Sequence, residues 1–434
     1  MIKKQSAFAA MIAASFMFAA SAHAQDAPIA SDASVFVFNT TLFLISGMVV
    51  MFMAAGFCML EVGLVRAKNA ATICVKNIAL YSIAGIMVWL FGYDLIYGVQ
   101  EGGVFGKFSL FQGWKADDSD PLGTGYAANS DWYFQMVFVA TAASIVSGTL
   151  AERIKLWPFL LFVAVLTGFI YPVQAGWVWG TGFLDARFDD FAGSTLVHST
   201  GGWAALAGAI VLGARNGKYE GGRVHPYPGS SLPLAALGTF ILWLGWFGFN
   251  GGSQLALGTI DDAISVAKIF VNTNMAACAG VVTALALTQV LYKKVDLTIV
   301  LNGAIGGLVS ITAEPLQPAI YQAVLIGAVG GAIVTFAVPL LDKLKIDDVV
   351  GAIPAHLFCG IWGTLIVPLS NNGVTFLGQL TGIVVIGAFV FAASLLVWLA
   401  LKYTIGIRAN EADERLGLDK SELGLEAYPE FAST

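Results

Sequence analysis

The sequence predicts an all-α integral membrane protein, with eleven transmembrane helices and an inverted five-helix repeat. Three observations carry that prediction. Of 434 residues, 57% are hydrophobic and only 12% charged. Water-soluble domains hold about 25% charged residues, and so apolar a soluble chain would expose patches that nothing covers. Apolar runs of about the 20 residues needed to cross a bilayer recur from end to end. Finally, one nonapeptide pattern occurs twice, as Asp190-Phe-Ala-Gly-Ser-Thr-Leu-Val-His198 and Asp348-Val-Val-Gly-Ala-Ile-Pro-Ala-His356. Aspartate, glycine and histidine share their offsets, and Gly202 and Gly360 follow each histidine by four residues.

The elements follow in order. Lys3 and Lys4 precede an apolar run from Phe8 to Ala20 and then Ala22-His23-Ala24. A basic start, a short apolar core and an Ala-x-Ala end predict a secretory signal peptide, residues 1–24, removed after Ala24. The membrane domain is then 25–402, with spans at 38–64, 74–98, 131–151, 156–176, 194–214, 232–256, 263–291, 297–313, 319–341, 349–368 and 376–402. Residues 403–434 form a tail. The 49 glycines fit membrane helices that pack closely through small residues.

Basic residues predict the orientation. With the mature N-terminus outside, the cytoplasmic loops and tail hold sixteen Lys and Arg, among them Arg66, Lys68, Arg153, Arg215 and Lys343, against four outside: Lys107, Lys115, Arg187 and Lys268. Positive charge belongs on the cytoplasmic side. The fifth span then enters the membrane from outside and the tenth from inside. Five is an odd number, so a duplicated five-helix unit must be inverted, with its functional site near the midplane between the halves. His198 and His356 are expected to face each other there.

Each repeated aspartate sits at a helix start, where a carboxylate accepts bonds from orphan backbone N–H groups. Asp190 also faces the outer mouth. Histidines at membrane depth either glue helices together or line a polar pathway, since neutral imidazole offers one donor and one acceptor. Aromatic residues crowd the outer ends of the spans. Trp132 and Trp177 read as an interfacial belt. In Gly245-Trp-Phe-Gly-Phe-Asn-Gly-Gly-Ser253, glycines are expected to let bulky rings and a hydroxyl approach a common space. An uncharged aromatic mouth holds a small cation over a ring face.

At these residues the chain resembles the ammonium transporter (Amt/Mep/Rh) family, on its bacterial ammonium transporter branch. The resemblance covers nearly the whole mature chain. It rests on Glu61-Val-Gly-Leu-Val-Arg-Ala-Lys-Asn69, Leu150-Ala-Glu-Arg-Ile154, the Asp190–His198 segment, Gly245-Trp-Phe-Gly-Phe-Asn250, Cys359-Gly-Ile-Trp-Gly363 and, in the tail, Gly417-Leu-Asp419 with Ala427-Tyr-Pro-Glu-Phe431. It implies a homotrimer in the bacterial inner membrane, one pore per subunit, with the N-terminus outside and the C-terminus cytoplasmic. Trp179 and Ser253 match the family's outer recruitment site for ammonium, with Asp190 as its supporting acid. Phe138 and Phe249 match two stacked rings that block the pore, Trp246 a pore-lining tryptophan, and His198 with His356 the twin histidines. Ammonium would shed its proton and cross as ammonia, and in some members the proton crosses separately. Two stretches depart from the family. Leu357 and Phe358 follow the second histidine where small residues are usual, which is expected to tilt His356 or narrow the inner pore. Glu422-Leu-Gly-Leu-Glu426 replaces a more acidic stretch, which weakens the expectation that a P-II signalling protein docks at the tail.

The composition carries no nucleic-acid footprint, the net charge being -6. Cys58, Cys74, Cys278 and Cys359 show no disulfide-framework spacing, and Cys359 near His356 lacks the further ligands of a metal site. No cofactor, nucleophile–base pair or phosphate loop is expected, so the chain is not read as an enzyme. The alternatives to transport are an ammonium sensor signalling through its tail, or a channel for a neutral solute such as carbon dioxide. A sensor would be expected to carry a signalling domain after Lys402, where some thirty residues remain; independent domains need more than about 40.

Overall fold

A backbone in hydrocarbon must satisfy its own N–H and C=O groups, and a helix does so within one segment. The computed structural model describes residues 31–109 and 115–431, and there the membrane region is helical. The expected signal peptide lies outside the described residues. Eleven helical segments stand where the apolar runs predicted them: α1 Asp32–Leu64, α2 Ala67–Tyr97, α3 Ala128–Thr149, α4 Leu156–Gly176, α5 Ser194–Leu212, α6 Leu232–Gly252, α7 Ile260–Tyr292, α8 Leu297–Ile311, α9 Ile320–Lys343, α10 Ile353–Leu369 and α11 Phe376–Thr404. Eight of them, all but α3, α8 and α10, are long and apolar enough to cross a bilayer by themselves.

Two of the exceptions, α3 and α8, have a physical reason. Helix α3 is buried throughout Phe134–Thr149 and α8 throughout Ile299–Ile311. A helix that meets protein on all sides has no lipid to match and can be short or carry polar residues. These two are the third helices of the two halves, so the same interior position recurs in each. Helix α1 lies along α6, and α5 meets α10 at the repeated motif.

Glycines set the closest approaches. A Cβ on Gly238 would stand 2.3 Å from Leu60 N, and one on Gly245 2.0 Å from Met53 Cγ. In the 245–253 run Gly245 and Gly248 seat α6 against α1, while Gly251 and Gly252 make room for the Phe270 and Phe134 rings, 2.4 and 2.7 Å from an added Cβ. Trp246 and Phe249 project elsewhere, into the core.

The tail packs on one face of the bundle, called here the tail face. Asp419 accepts bonds from Ala71 N (3.0 Å), Thr72 N (2.7 Å) and Thr72 Oγ1 (2.8 Å), capping the start of α2 from a distant part of the chain. Leu418 N donates to Asn69 Oδ1 at 2.9 Å, and Lys68 Nζ donates to the Glu414 and Arg415 carbonyls. The Leu150–Ile154 motif lies beneath. Glu152, at φ 70°, pairs with Arg66 at 2.5 Å and Arg215 at 3.4 Å, while Arg215 binds Asp347 at 2.8 Å.

One aromatic expectation changes, and one pair of free cysteines is closer than its spacing suggests. Trp177 is not an interfacial belt residue: it is buried, and its Nε1 donates to the Val104 carbonyl at 2.8 Å. The loop after α2 folds over it and supplies a partner from within the chain. Cys58 and Cys74, which spacing did not connect, bring their sulfurs within 3.7 Å.

Candidate functional site

The repeated motif builds the site by one local device used twice. Gly193 (φ 101°) and Gly351 (φ 77°) adopt left-handed backbone that side chains resist. Each turns the chain so that the aspartate three residues before it caps the helix that follows. Asp190 Oδ1 accepts from Gly193 N (3.2 Å) and Ser194 N (2.7 Å), and Oδ2 from Thr195 N (2.7 Å) and Leu196 N (2.8 Å). Asp348 accepts from Ile353 N at 2.7 Å and Thr149 Oγ1 at 3.0 Å. Burial raises the Asp348 carboxyl above its usual range, although those bonds oppose it. Both aspartates serve the helix starts, and the Asp190 oxygens are fully engaged by backbone.

Each cap opens into a wide π-helical turn, Ser194–Ser199 and Ile353–Phe358, and each turn carries a histidine. The glycines four residues on let the two helices cross. A Cβ on Gly202 would stand 2.6 Å from Leu357 Cβ, and one on Gly360 2.4 Å from the Ser194 carbonyl. At that crossing His198 Nδ1 and His356 Nδ1 approach to 3.2 Å, with both rings buried. Such a bond needs one Nδ1–H and one bare Nδ1. If both rings are neutral, one Nε2 then carries a hydrogen and the other is bare. His198 Nε2 has no protein partner.

A column of rings continues from the pair toward the face opposite the tail. Trp246 stacks on His198 at 4.9 Å and is held by a 2.8 Å bond from its Nε1 to Thr312 Oγ1. Phe249 lies 5.2 Å from His198 and stacks on Phe138 at 3.9 Å and 17°. Trp179 meets Phe138 edge to face at 6.1 Å. Beyond the rings opens a cavity of about 500 Å³ lined by Trp179, Ser253, Asp189 and Asp190 among others. Ser253 Oγ donates to the Phe249 carbonyl at 2.8 Å, which leaves its lone pairs available to a donor. The residues singled out in the sequence thus form one column from His356 to Trp179, ending at a cavity that Ser253 and Asp190 also line.

Sequence reasoning missed several neighbours. In the same cavity Asn371 Nδ2 bridges Asp189 (2.8 Å) and Glu314 (3.0 Å). Burial raises both carboxyls, and for Asp189 the nearby Asp185 adds to the effect. On the tail side of the histidines, Phe57 lies 6.1 Å from the His356 ring. A cavity of about 10 Å³ there is lined by His356, Phe57, Glu61, Ser144 and Asn302 among others. Asn302 and Val350 separate it from a vestibule of about 300 Å³ at the tail face. A charged residue inside an apolar run was the available signal for Glu61. Leu357 and Phe358 line neither cavity: Leu357 is buried over Gly202, and Phe358 packs among apolar residues of the neighbouring cluster. The expected narrowing of the inner pore by these side chains is not found.

Residues 41–428 match the profile of the Ammonium Transporter Family. The chain belongs to the Ammonium Transporter Family. Among its relatives, "Ammonium transporter Amt2" of Archaeoglobus fulgidus is 38% identical over 423 residues, 90% of this chain and 88% of the relative. "Putative ammonium transporter sll1017" of Synechocystis is 38% identical over 414 residues, 94% of this chain and 93% of the relative. Of solved structures, one titled "Sensor Amt Protein" superposes with a TM-score of 0.82 at 33% identity, covering 89% of this chain and 98% of that one. Candida albicans Mep2 superposes with a TM-score of 0.78 at 27% identity, covering 88% of both chains. The family's fold therefore extends over the whole column from Trp179 to His356.

Proposed function

We propose that this chain transports ammonium across a bacterial inner membrane, from the face bearing Trp179 and Ser253 to the tail face, which is cytoplasmic. The relatives named as ammonium transporters support the substrate. One observation carries the mechanism: between the 500 Å³ cavity and the inner cavity, the path crosses Phe138, Phe249, Trp246, His198 and His356, all buried and none a fixed charge. Ammonium rests at the outer site over the face of Trp179 and donates to Ser253. A bare cation entering so apolar a column loses hydration that nothing there replaces. Ammonium escapes that penalty by giving up a proton, and ammonia continues as a neutral molecule. At the twin histidines it donates to a bare Nε2 or accepts from an Nε2–H. Potassium has similar size and charge but no proton to lose, so the column discriminates where the aromatic mouth does not.

The mature chain begins after a cleaved signal peptide, has its N-terminus outside, and assembles as a homotrimer with one pore per subunit. The docked tail offers a P-II signalling protein its surface. The test of transport uses purified full-length protein in proteoliposomes, recording current and internal pH after an ammonium pulse. The expected result is a response to ammonium in either signal and none to potassium. Silence in both signals, or an equal response to potassium, would overturn the reading.

A further inference from the structure

One buried carboxylate beside the pore has no part in the pathway above. Glu61 sits one helical turn after Phe57 on α1 and is only 1% exposed. It shares with His356 the wall of the 10 Å³ cavity, which is about the space one water-sized molecule requires. The residues that close this cavity toward the vestibule, Asn302 and Val350, also line the vestibule. The position is thus the last enclosed point between the histidine pair and the tail face.

The surroundings make a charged state tolerable there. Ser147 Oγ donates to Glu61 Oε2 at 2.7 Å, and Asn77 Nδ2 to Oε1 at 3.3 Å. Lys76, also buried, donates from Nζ to the Ser147 carbonyl at 2.8 Å and lies over the Phe159 ring at 4.5 Å. Ser147 therefore joins a carboxylate on its hydroxyl to an ammonium on its carbonyl. Ionisable groups inside a membrane protein are paired or serve an ion or proton pathway. Glu61 meets both descriptions. Tying α1 to α2 and α3 would account for its bonds to Ser147 and Asn77, but not for its place on the wall of a cavity that His356 also lines.

We propose that Glu61 is a proton-exchanging residue at the inner end of the pore, where proton and ammonia rejoin. The proposal rests on the reading that ammonium sheds its proton at the outer end. His198 takes that proton at a bare Nε2, its Nδ1–H passes to the bare Nδ1 of His356, and His356 releases its Nε2–H into the cavity, where it protonates the Glu61 carboxylate. The ammonia that follows takes a proton from one ring and returns one to the other, restoring both tautomers. Ammonia entering the same cavity takes the proton from the carboxyl and leaves as ammonium, restoring the carboxylate. Each cycle moves one ammonium and one positive charge, and Lys76 stabilises the carboxylate between cycles.

The experiment compares wild type, Glu61→Gln and Glu61→Asp in proteoliposomes, recording current and internal alkalinisation together. In wild type an ammonium pulse gives a current. In E61Q the current is expected to fall by about a hundredfold, the low end of what positioned proton transfer contributes, while ammonia that crosses without its proton takes one up inside, so that an internal alkalinisation absent from the coupled wild type appears. E61D is expected to retain part of the current. An E61Q current equal to wild type overturns the proposal, as does loss of current with no alkalinisation in well-folded E61Q, the mark of a structural group. If E61Q is not recovered as folded protein, E61D decides. Its current must fall as alkalinisation appears, and an unchanged current is fatal. Wild type that alkalinises without current refutes the relay but leaves transport standing. Wild type silent in both signals removes the parent reading and the relay with it.

Discussion

At the scale of a residue, Asp190 shows how a side chain beside a pore can matter without touching what passes. Its two oxygens accept four backbone N–H bonds, so the carboxylate is the floor on which the His198 turn stands. Removing it leaves those donors buried and unpaired, at roughly 1–3 kcal/mol each. Asp190→Ala is expected to lose several kcal/mol by that estimate, and Asp190→Asn less, because one carbonyl oxygen still accepts. Thermal unfolding of the two variants in detergent, followed by tryptophan fluorescence, measures this. D190A melting beside wild type would show that the cap is dispensable. This much was legible in the sequence, because the aspartate, the left-handed glycine and the capped amides all lie within seven residues, Asp190 to Leu196. Glu61 was not. That it lines one cavity with His356 depends on where α1 lies against the turn of α10, and no local spacing encodes that.

At the scale of elements, the α5–α10 crossing decides whether the histidines meet. Gly202 allows it by admitting Leu357, whose Cα and N would stand 2.9 Å from an added Cβ. Backbone atoms cannot swing away as a side chain can, so Gly202→Ala must push the helices apart. Overpacking of this kind typically costs about 1–3 kcal/mol, and here the displacement falls on a 3.2 Å bond between the rings. G202A is expected to lower ammonium flux in proteoliposomes by more than tenfold, on the scale of a misplaced reacting group, while still folding. Flux at the wild-type level would mean that the pair tolerates separation. The same crossing explains one departure from the family pattern, Leu357. Leu357 is large because it fills the space over Gly202, a fact fixed by a helix far away in sequence. Span positions were readable because hydropathy is a property of one segment. The interior places of α3 and α8 were not, because they depend on which helices surround them. Trp177 was misread for a related reason: an aromatic ring at a span end looks the same whether lipid headgroups or a returning loop covers it.

At the scale of the whole molecule, the two halves are locked at the tail face by charges that no single half supplies. Glu152 follows α3, Arg66 follows α1 and Arg215 follows α5, while Asp347 precedes α10. Burial by itself would raise both carboxyls. For Glu152 the guanidiniums of Arg215 and Arg66 more than offset it, and for Asp347 those of Arg153 and Arg215 do so, leaving each below its ordinary value. A carboxyl whose folded-state value is depressed adds stability above its unfolded value, near 4, and loses it as pH falls through the folded value. The knot is therefore intact across neutral and mildly acid pH and weakens only below about pH 4. Arg215→Gln removes the partner that both carboxylates share and leaves them buried. Breaking a buried pair costs about 3–5 kcal/mol, so R215Q is expected to be markedly less stable than wild type at pH 7. In R215Q the carboxyls must rise toward or above their unfolded value, so this part of its deficit should narrow as both proteins are acidified. Residual activity after heating, measured from pH 7 down to pH 3, reads the gap. Parallel curves for the two proteins would mean that Arg215 acts by packing over Tyr227, and that the halves are held together by apolar contact rather than by this network.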